Sequence, residues 1–196
     1  MKVIERATLI ISFLSFLLKL LLVRSAIPVF IISISLLSCI YFYFGFALLN
    51  GIGFRAMFKK ASYVGISSGR MIGAIGVGFF LSVILIGILF KLQIWMGSVE
   101  MITIGTTGLF VTLLAAGVVF LVKRKTLDSF YRGIFLRGGL AILFAVIVFL
   151  TPSRLLIRIY HRDNPAFGEL IIKALENPED ETIQKQLDDA MEKEYK

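Results

Sequence analysis

The chain contains one cysteine, Cys39, and one histidine, His161, so it can form no internal disulfide and offers no cysteine–histidine cluster for a metal. Charge is scarce as well. Only 17% of the 196 residues are charged, against roughly a quarter in a soluble domain, too few to cover a water-facing surface. Catalytic patterns are missing in turn: no Ser-His-Asp set, no His-Glu-x-x-His, no Cys-x-x-Cys and no phosphate-cradling glycine loop. The glycine-rich stretch at 69–78 opens an apolar run and follows no strand, which excludes a dinucleotide fingerprint. These absences point away from an enzyme and imply neither cofactor nor metal.

What remains is hydrocarbon: 58% of the residues are hydrophobic. A bilayer crossing needs roughly 20 mainly apolar residues. The sequence predicts five such spans, at 7–23, 28–49, 71–94, 101–122 and 133–151. The expected fold is therefore an all-α integral membrane helical bundle of about five helices, two similar hairpins plus one. Lys2 and Arg6 precede the first apolar run as in a signal peptide, but no clean small-residue cleavage pattern follows, so it reads as an uncleaved helix.

Positive residues beside short loops mark the cytoplasmic side. Arg55, Lys59, Lys60 and Arg70 lie around one loop, and Lys123, Arg124, Lys125, Arg132 and Arg137 around another. Both are expected inside, with the N-terminus, and the C-terminal tail outside. Arg154, Arg158 and Arg162 pull the other way, and would hold the tail inside if the fifth segment failed to cross. The net charge of +8 is unevenly spread: residues 162–196 hold ten acids and five bases. Basic residues that flank spans are explained by topology and anionic headgroups, so nucleic acid is not an expected partner; the lipid bilayer is.

Two lysines stand near the ends of apolar runs, in FLLKLLLVRSAIP and ILFKLQIWMGSVE. At an offset of 72, Lys19 pairs with Lys91, Ile32 with Ile104 and Gly45 with Gly117, which suggests a repeated hairpin. An ammonium there can stretch toward headgroups, with Trp95 at the same level, so Lys19, Lys91 and Trp95 read as membrane anchors. An ion route would need an acid at depth, and the five spans contain no Asp or Glu. Small residues form two rows, Ala74, Gly78 and Ser82, then Gly105, Gly108, Thr112 and Ala116, expected to let the third and fourth helices approach closely.

The tail, 162–196, is a separate acidic segment after a membrane bundle at 1–161. Asn164-Pro165 and Asn177-Pro178 each place a capping side chain before a proline suited to a first helical turn. Phe167, Leu170, Ile171 and Leu175 form one apolar stripe, and Ile183, Leu187 and Met191 another. Two such short helices are marginal alone, so the stripes must pack on each other, on the membrane or on a partner protein.

The stretch 76–105 carries Gly87, Leu89, Phe90, Lys91, Trp95, Gly97, Ile104 and Gly105. In these it resembles the transmembrane hairpin of the GldL/PorL motor subunits of gliding motility and type IX secretion, and related membrane proteins of Bacteroidota. The resemblance implies a bacterial envelope and an inner membrane. It departs at the motor's membrane glutamate, absent from the aligned helix, and at the cytoplasmic coiled coil, so motor activity does not carry over. The expectation is an accessory or scaffold subunit of an envelope complex, contacting other membrane proteins through the tail. The alternative is a small transporter or channel built on the repeated hairpin, which should show a polar cavity between the repeats.

Overall fold

Hydrophobic runs of bilayer length must satisfy their own backbone hydrogen bonds, and helices do so throughout this chain. The computed structural model describes residues 1–23, 25–122 and 128–194. Arg24 and the basic run Lys123, Arg124 and Lys125 lie outside the described residues. The order is α1 (Lys2–Leu20), α2 (Ala26–Leu49), a short 3-10 turn (Lys60–Tyr63), α3 (Ser68–Gln93), α4 (Ser98–Val122), α5 (Ser129–Leu150), α6 (Ser153–Tyr160), α7 (Pro165–Glu176) and α8 (Glu181–Glu194).

Four helices, α2 to α5, are long and apolar enough to cross a membrane, rather than the five expected. The difference is α1. Its 19 residues begin at Lys2 and include Glu5, Arg6 and Lys19, too many charges for an apolar window. Its polar residues have gone inward: Glu5, Thr8, Ser12, Ser15 and Lys19 are the buried face. Ile10 and Phe13, 59% and 58% exposed, look outward. A helix in water turns the opposite way. The buried hydroxyls are satisfied locally, Thr8 on Ile4 O, Ser12 on Thr8 O and Ser15 on Ile11 O.

α3 is the central helix, packed against α2, α4 and α5. The predicted rows of small residues do not meet each other. Gly78 faces Gly45 of α2: a Cβ on Gly45 would lie 2.8 Å from Gly78 Cα. Ser82 faces α2 as well, its carbonyl accepting from Ser38 Oγ at 3.1 Å, and Ala74 is fully buried. The α4 row packs on a different side of α3, with Gly105 against Ile84, Gly108 against Phe80 and Thr112 against Gly76. Ala116 packs half-buried on the core. α3 thus presents its own small row to α2, while on another side its Phe80 and Ile84 fill the small row of α4.

The repeated hairpin appears in the backbone. Among the described residues, Leu22 and Ile94, 72 residues apart, are the non-glycine residues with positive φ, at 61° and 60°. Around Leu22, Val23 N–H donates to Leu18 O and Leu22 N–H to Lys19 O, both at 3.0 Å. Around Ile94, Trp95 N–H donates to Phe90 O at 2.8 Å and Ile94 N–H to Lys91 O at 3.2 Å. Both turns are the left-handed helix cap in which the last carbonyls are closed by the two residues beyond, and an apolar contact across it is usual. Trp95 supplies one by meeting the Phe90 ring edge-on at 5.3 Å.

Beyond α5 the chain breaks at Thr151-Pro152 and restarts as α6, rather than continuing the span's helix. The first Asn-Pro behaves as expected, Asn164 Oδ1 accepting from Phe167 N–H at 3.3 Å. The second does not. Asn177 closes α7 by donating to Lys173 O, and Asp180 caps α8, accepting from Thr182 and Ile183 N–H. An acidic side chain there also suits the positive end of the helix dipole.

Candidate functional site

The polar face of α1 carries a charge near each end, and each end has its own cluster. Near its N-terminus, Glu5 is 2% exposed and meets Arg137 of α5 through both oxygens, Nε to Oε1 at 2.6 Å and Nη2 to Oε2 at 2.7 Å. Tyr41 of α2 donates its hydroxyl to Glu5 Oε1 at 2.5 Å. This bidentate pair joins α1, α2 and α5, and its planar fork matches the carboxylate as no lysine could. Neither Glu5 nor Tyr41 was singled out by the sequence, because Glu5 falls before the apolar run. The signal was nevertheless there: Glu5, Thr8, Ser12, Ser15 and Lys19 recur at alternating steps of three and four, one helical face.

Near its C-terminus, Lys19 is 6% exposed and turned into the bundle rather than outward as an anchor would be. Its ammonium donates to Leu92 O at 2.6 Å and Gln93 Oε1 at 2.9 Å, and sits 4.2 Å from the Tyr160 ring centroid. Leu92 is in the last turn of α3, where free carbonyls and the helix dipole favour a cation. A cavity of 370 Å³ opens beside it, walled by the α1–α2 turn, Gln93, Tyr160, His161 and Asp163. Burial pushes the Tyr160 phenol up to about 12, so it stays neutral. Lys91, the repeat partner of Lys19, instead donates to Ser153 Oγ at 3.1 Å. Trp95 is 46% exposed, compatible with an interfacial ring. The two lysines hold the same place in the same backbone cap yet tie down different elements, Lys19 fixing α1 to α3 and Lys91 fixing α3 to α6.

A third polar knot joins the α2–α3 loop to the start of α5. Arg70 donates to Asn50 Oδ1 at 2.9 Å and to Asp128 Oδ2 at 2.8 Å, over the Phe130 ring. Asp128 also caps α5, its Oδ1 accepting from Phe130 and Tyr131 N–H. Partial burial works to raise the Asp128 carboxyl, but the backbone N–H groups and Arg70 outweigh it and hold it below the usual range. A group depressed on folding contributes stability above its unfolded pKa and loses it as pH falls through the folded one. Asp128→Ala should therefore cost about 1 kcal/mol at neutral pH, as lost caps do. It should also flatten the acid side of the stability profile, measured by denaturant unfolding in detergent. An unchanged profile would remove Asp128 from the account.

The tail positions divide. Phe167 is buried, its ring edge-on to His161 at 5.1 Å, while Leu170, Ile171, Ile183 and Leu187 are half-buried. Leu175 and Met191 remain 52% and 37% exposed. Arg154 and Arg158 pair with Glu176 and Glu169 of α7, at 2.6 and 2.9 Å. This face of α6 thus pairs with α7. Exposed pairs of this kind add little stability but set orientation.

No known protein family, curated protein or solved structure matches the chain. The fold itself defines the class: an all-α bundle with four candidate membrane-spanning helices.

Proposed function

We propose that the chain is a non-enzymatic accessory or scaffold subunit of a bacterial inner-membrane complex, with α1 crossing beside the four apolar helices. The observation that carries this reading is the Glu5 cluster. The Glu5 carboxylate spends both oxygens on Arg137 and Tyr41, so the buried acid is a bolt between helices rather than a free proton carrier. α1 also has the reach, since 19 residues at 1.5 Å span about 28 Å, close to a hydrocarbon core. Transport would be favoured by a polar cavity between the hairpins. Of the two larger cavities, the polar one sits at the outer edge under α6, and the one among the helices is walled almost entirely by apolar side chains.

In this reading the N-terminus is cytoplasmic and α6–α8 stand on the periplasmic face as the contact surface. The net charge of the tail, ten acids against five bases, suits a basic partner surface. Deleting 162–196 should leave the helices inserted but release a partner that co-purifies stoichiometrically with the full chain in mild detergent. Raising salt should weaken that association. Retention by the truncated chain would move the contact surface to the membrane helices, and absence of any stoichiometric partner of the full chain would sink the scaffold reading.

A further inference from the structure

α2 ends at Leu49, and the chain reverses at Gly51, whose φ of 73° suits a residue without a side chain. The loop that follows does not stand away from the bundle. The Phe54 ring meets that of Phe44 at 5.7 Å, and Phe44 lies five residues, about 7.5 Å of helix, short of Leu49. Phe58 continues the row, edge-on to Phe54 at 6.1 Å. In the other direction Phe44 stands beside Tyr43 and Tyr43 beside Phe42, both of them exposed on a helix of spanning length. A ladder of rings thus runs from the outer side of α2 onto the loop.

The loop is braced. Met57 N–H donates to Gly53 O at 3.0 Å, Tyr63 donates its hydroxyl to Met57 O at 2.6 Å, and the Tyr63 ring stacks on Phe46 at 6.3 Å. Phe54 and Phe58 nevertheless stay 48% and 77% exposed. The same stretch exposes Arg55, Lys59 and Lys60, and residues 50–70 contain no Asp or Glu.

We propose that this loop lies in the plane of the membrane interface and docks anionic phospholipid, its two rings at the headgroup–acyl boundary and its three bases on lipid phosphates. The proposal rests on α2 and α3 crossing a bilayer, and not on the scaffold reading. Continuity selects lipid. The ladder begins on a surface that hydrocarbon covers, so rings drawn back to the level of Phe44 meet the same medium. Charge selects the class of lipid, because bases without a neighbouring acid are attracted to an anionic leaflet. A protein partner would have to match the bases and also enter the hydrocarbon beside Phe44.

The test reads lipid contact from a tryptophan in the full chain, in vesicles of phosphatidylcholine and phosphatidylglycerol with one or the other brominated at mid-chain. Trp95, the single native tryptophan, sits just beyond the opposite end of α3 and is the control. In Trp95→Phe with Phe58→Trp, the introduced indole should be quenched by brominated lipid and shielded from aqueous acrylamide. Brominated phosphatidylglycerol should be preferred several-fold over phosphatidylcholine there, and less so as salt is raised. Arg55→Gln, Lys59→Gln and Lys60→Gln together should bring that ratio close to one and leave the ratio at Trp95 unchanged. An indole open to acrylamide overturns the in-plane loop. Equal quenching by the two lipids, or a preference that survives the triple substitution, overturns the anionic site. So does a benzoylphenylalanine at position 58 that links to a polypeptide instead of lipid in native membranes.

Discussion

Glu5→Ala is expected to be the most damaging single substitution in the chain, at about 3–5 kcal/mol, the range found when one partner of a buried ion pair is removed. The loss is dominated by what is left behind. Arg137 would keep its charge inside the bundle without its carboxylate, and Tyr41 would lose its acceptor. Replacing both charges together should be far milder, because apolar side chains of similar volume need no partner in hydrocarbon. Glu5→Met with Arg137→Met should thus recover much of the unfolding midpoint that Glu5→Ala removes, read in detergent by denaturant titration. If the double variant is as unstable as the single ones, the pair is not an isolated bolt and the stripe must act as a larger network. If the double variant is stable but biological function is gone, the acid has a role in chemistry and the scaffold reading fails.

Gly78→Val should be nearly as damaging, through crowding instead of charge. A Cβ on Gly78 would sit 2.6 Å from Tyr41 O and 3.1 Å from Gly45 Cα, and both are backbone atoms that cannot swing away. Even Gly78→Ala forces α2 and α3 apart, and overpacking of that kind costs about 1–3 kcal/mol. The separation also strains the Tyr41–Glu5 contact one helix away, so the two sites should be non-additive in a double-mutant cycle. Gly73 is the control. Nothing lies within 4 Å of a Cβ built there, so Gly73→Ala should be neutral or gain a few tenths of a kcal/mol from helix propensity. Equal effects at positions 73 and 78 would mean that the α2–α3 approach is looser than these distances require.

The bundle was legible in the sequence because burial in lipid leaves a coarse signal, run length, that tertiary packing cannot disguise. Four predicted spans fall on α2 to α5 within a few residues at each end. The small rows were visible too, but which helix each would face was not, since a row of small residues says that something comes close without saying what. α1 misled for a different reason. Judged by hydropathy it starts after its charges, yet the helix begins at Lys2, so an acid assigned to the preceding segment became part of the interior. The lysines misled because one side chain has two satisfactory destinations, the headgroup layer or a helix C-terminus, and sequence spacing is the same for both. Lys19 took the second, which only the position of Leu92 could reveal.

The inward polar stripe of α1 also fixes an order of events during synthesis. Glu5 emerges from the ribosome 132 residues before Arg137, and Lys19 emerges 73 residues before Leu92. Of the described helices, α1 is made before the others, yet its buried charges find their ionic and carbonyl partners on α5 and α3. Until α3 is delivered the ammonium of α1 lacks its acceptors, and until α5 is delivered its carboxylate has only Tyr41, so α1 must wait at the interface or against the insertion machinery. The apolar helices can enter the bilayer as they appear, whereas α1 has to be taken in by helices that were translated after it.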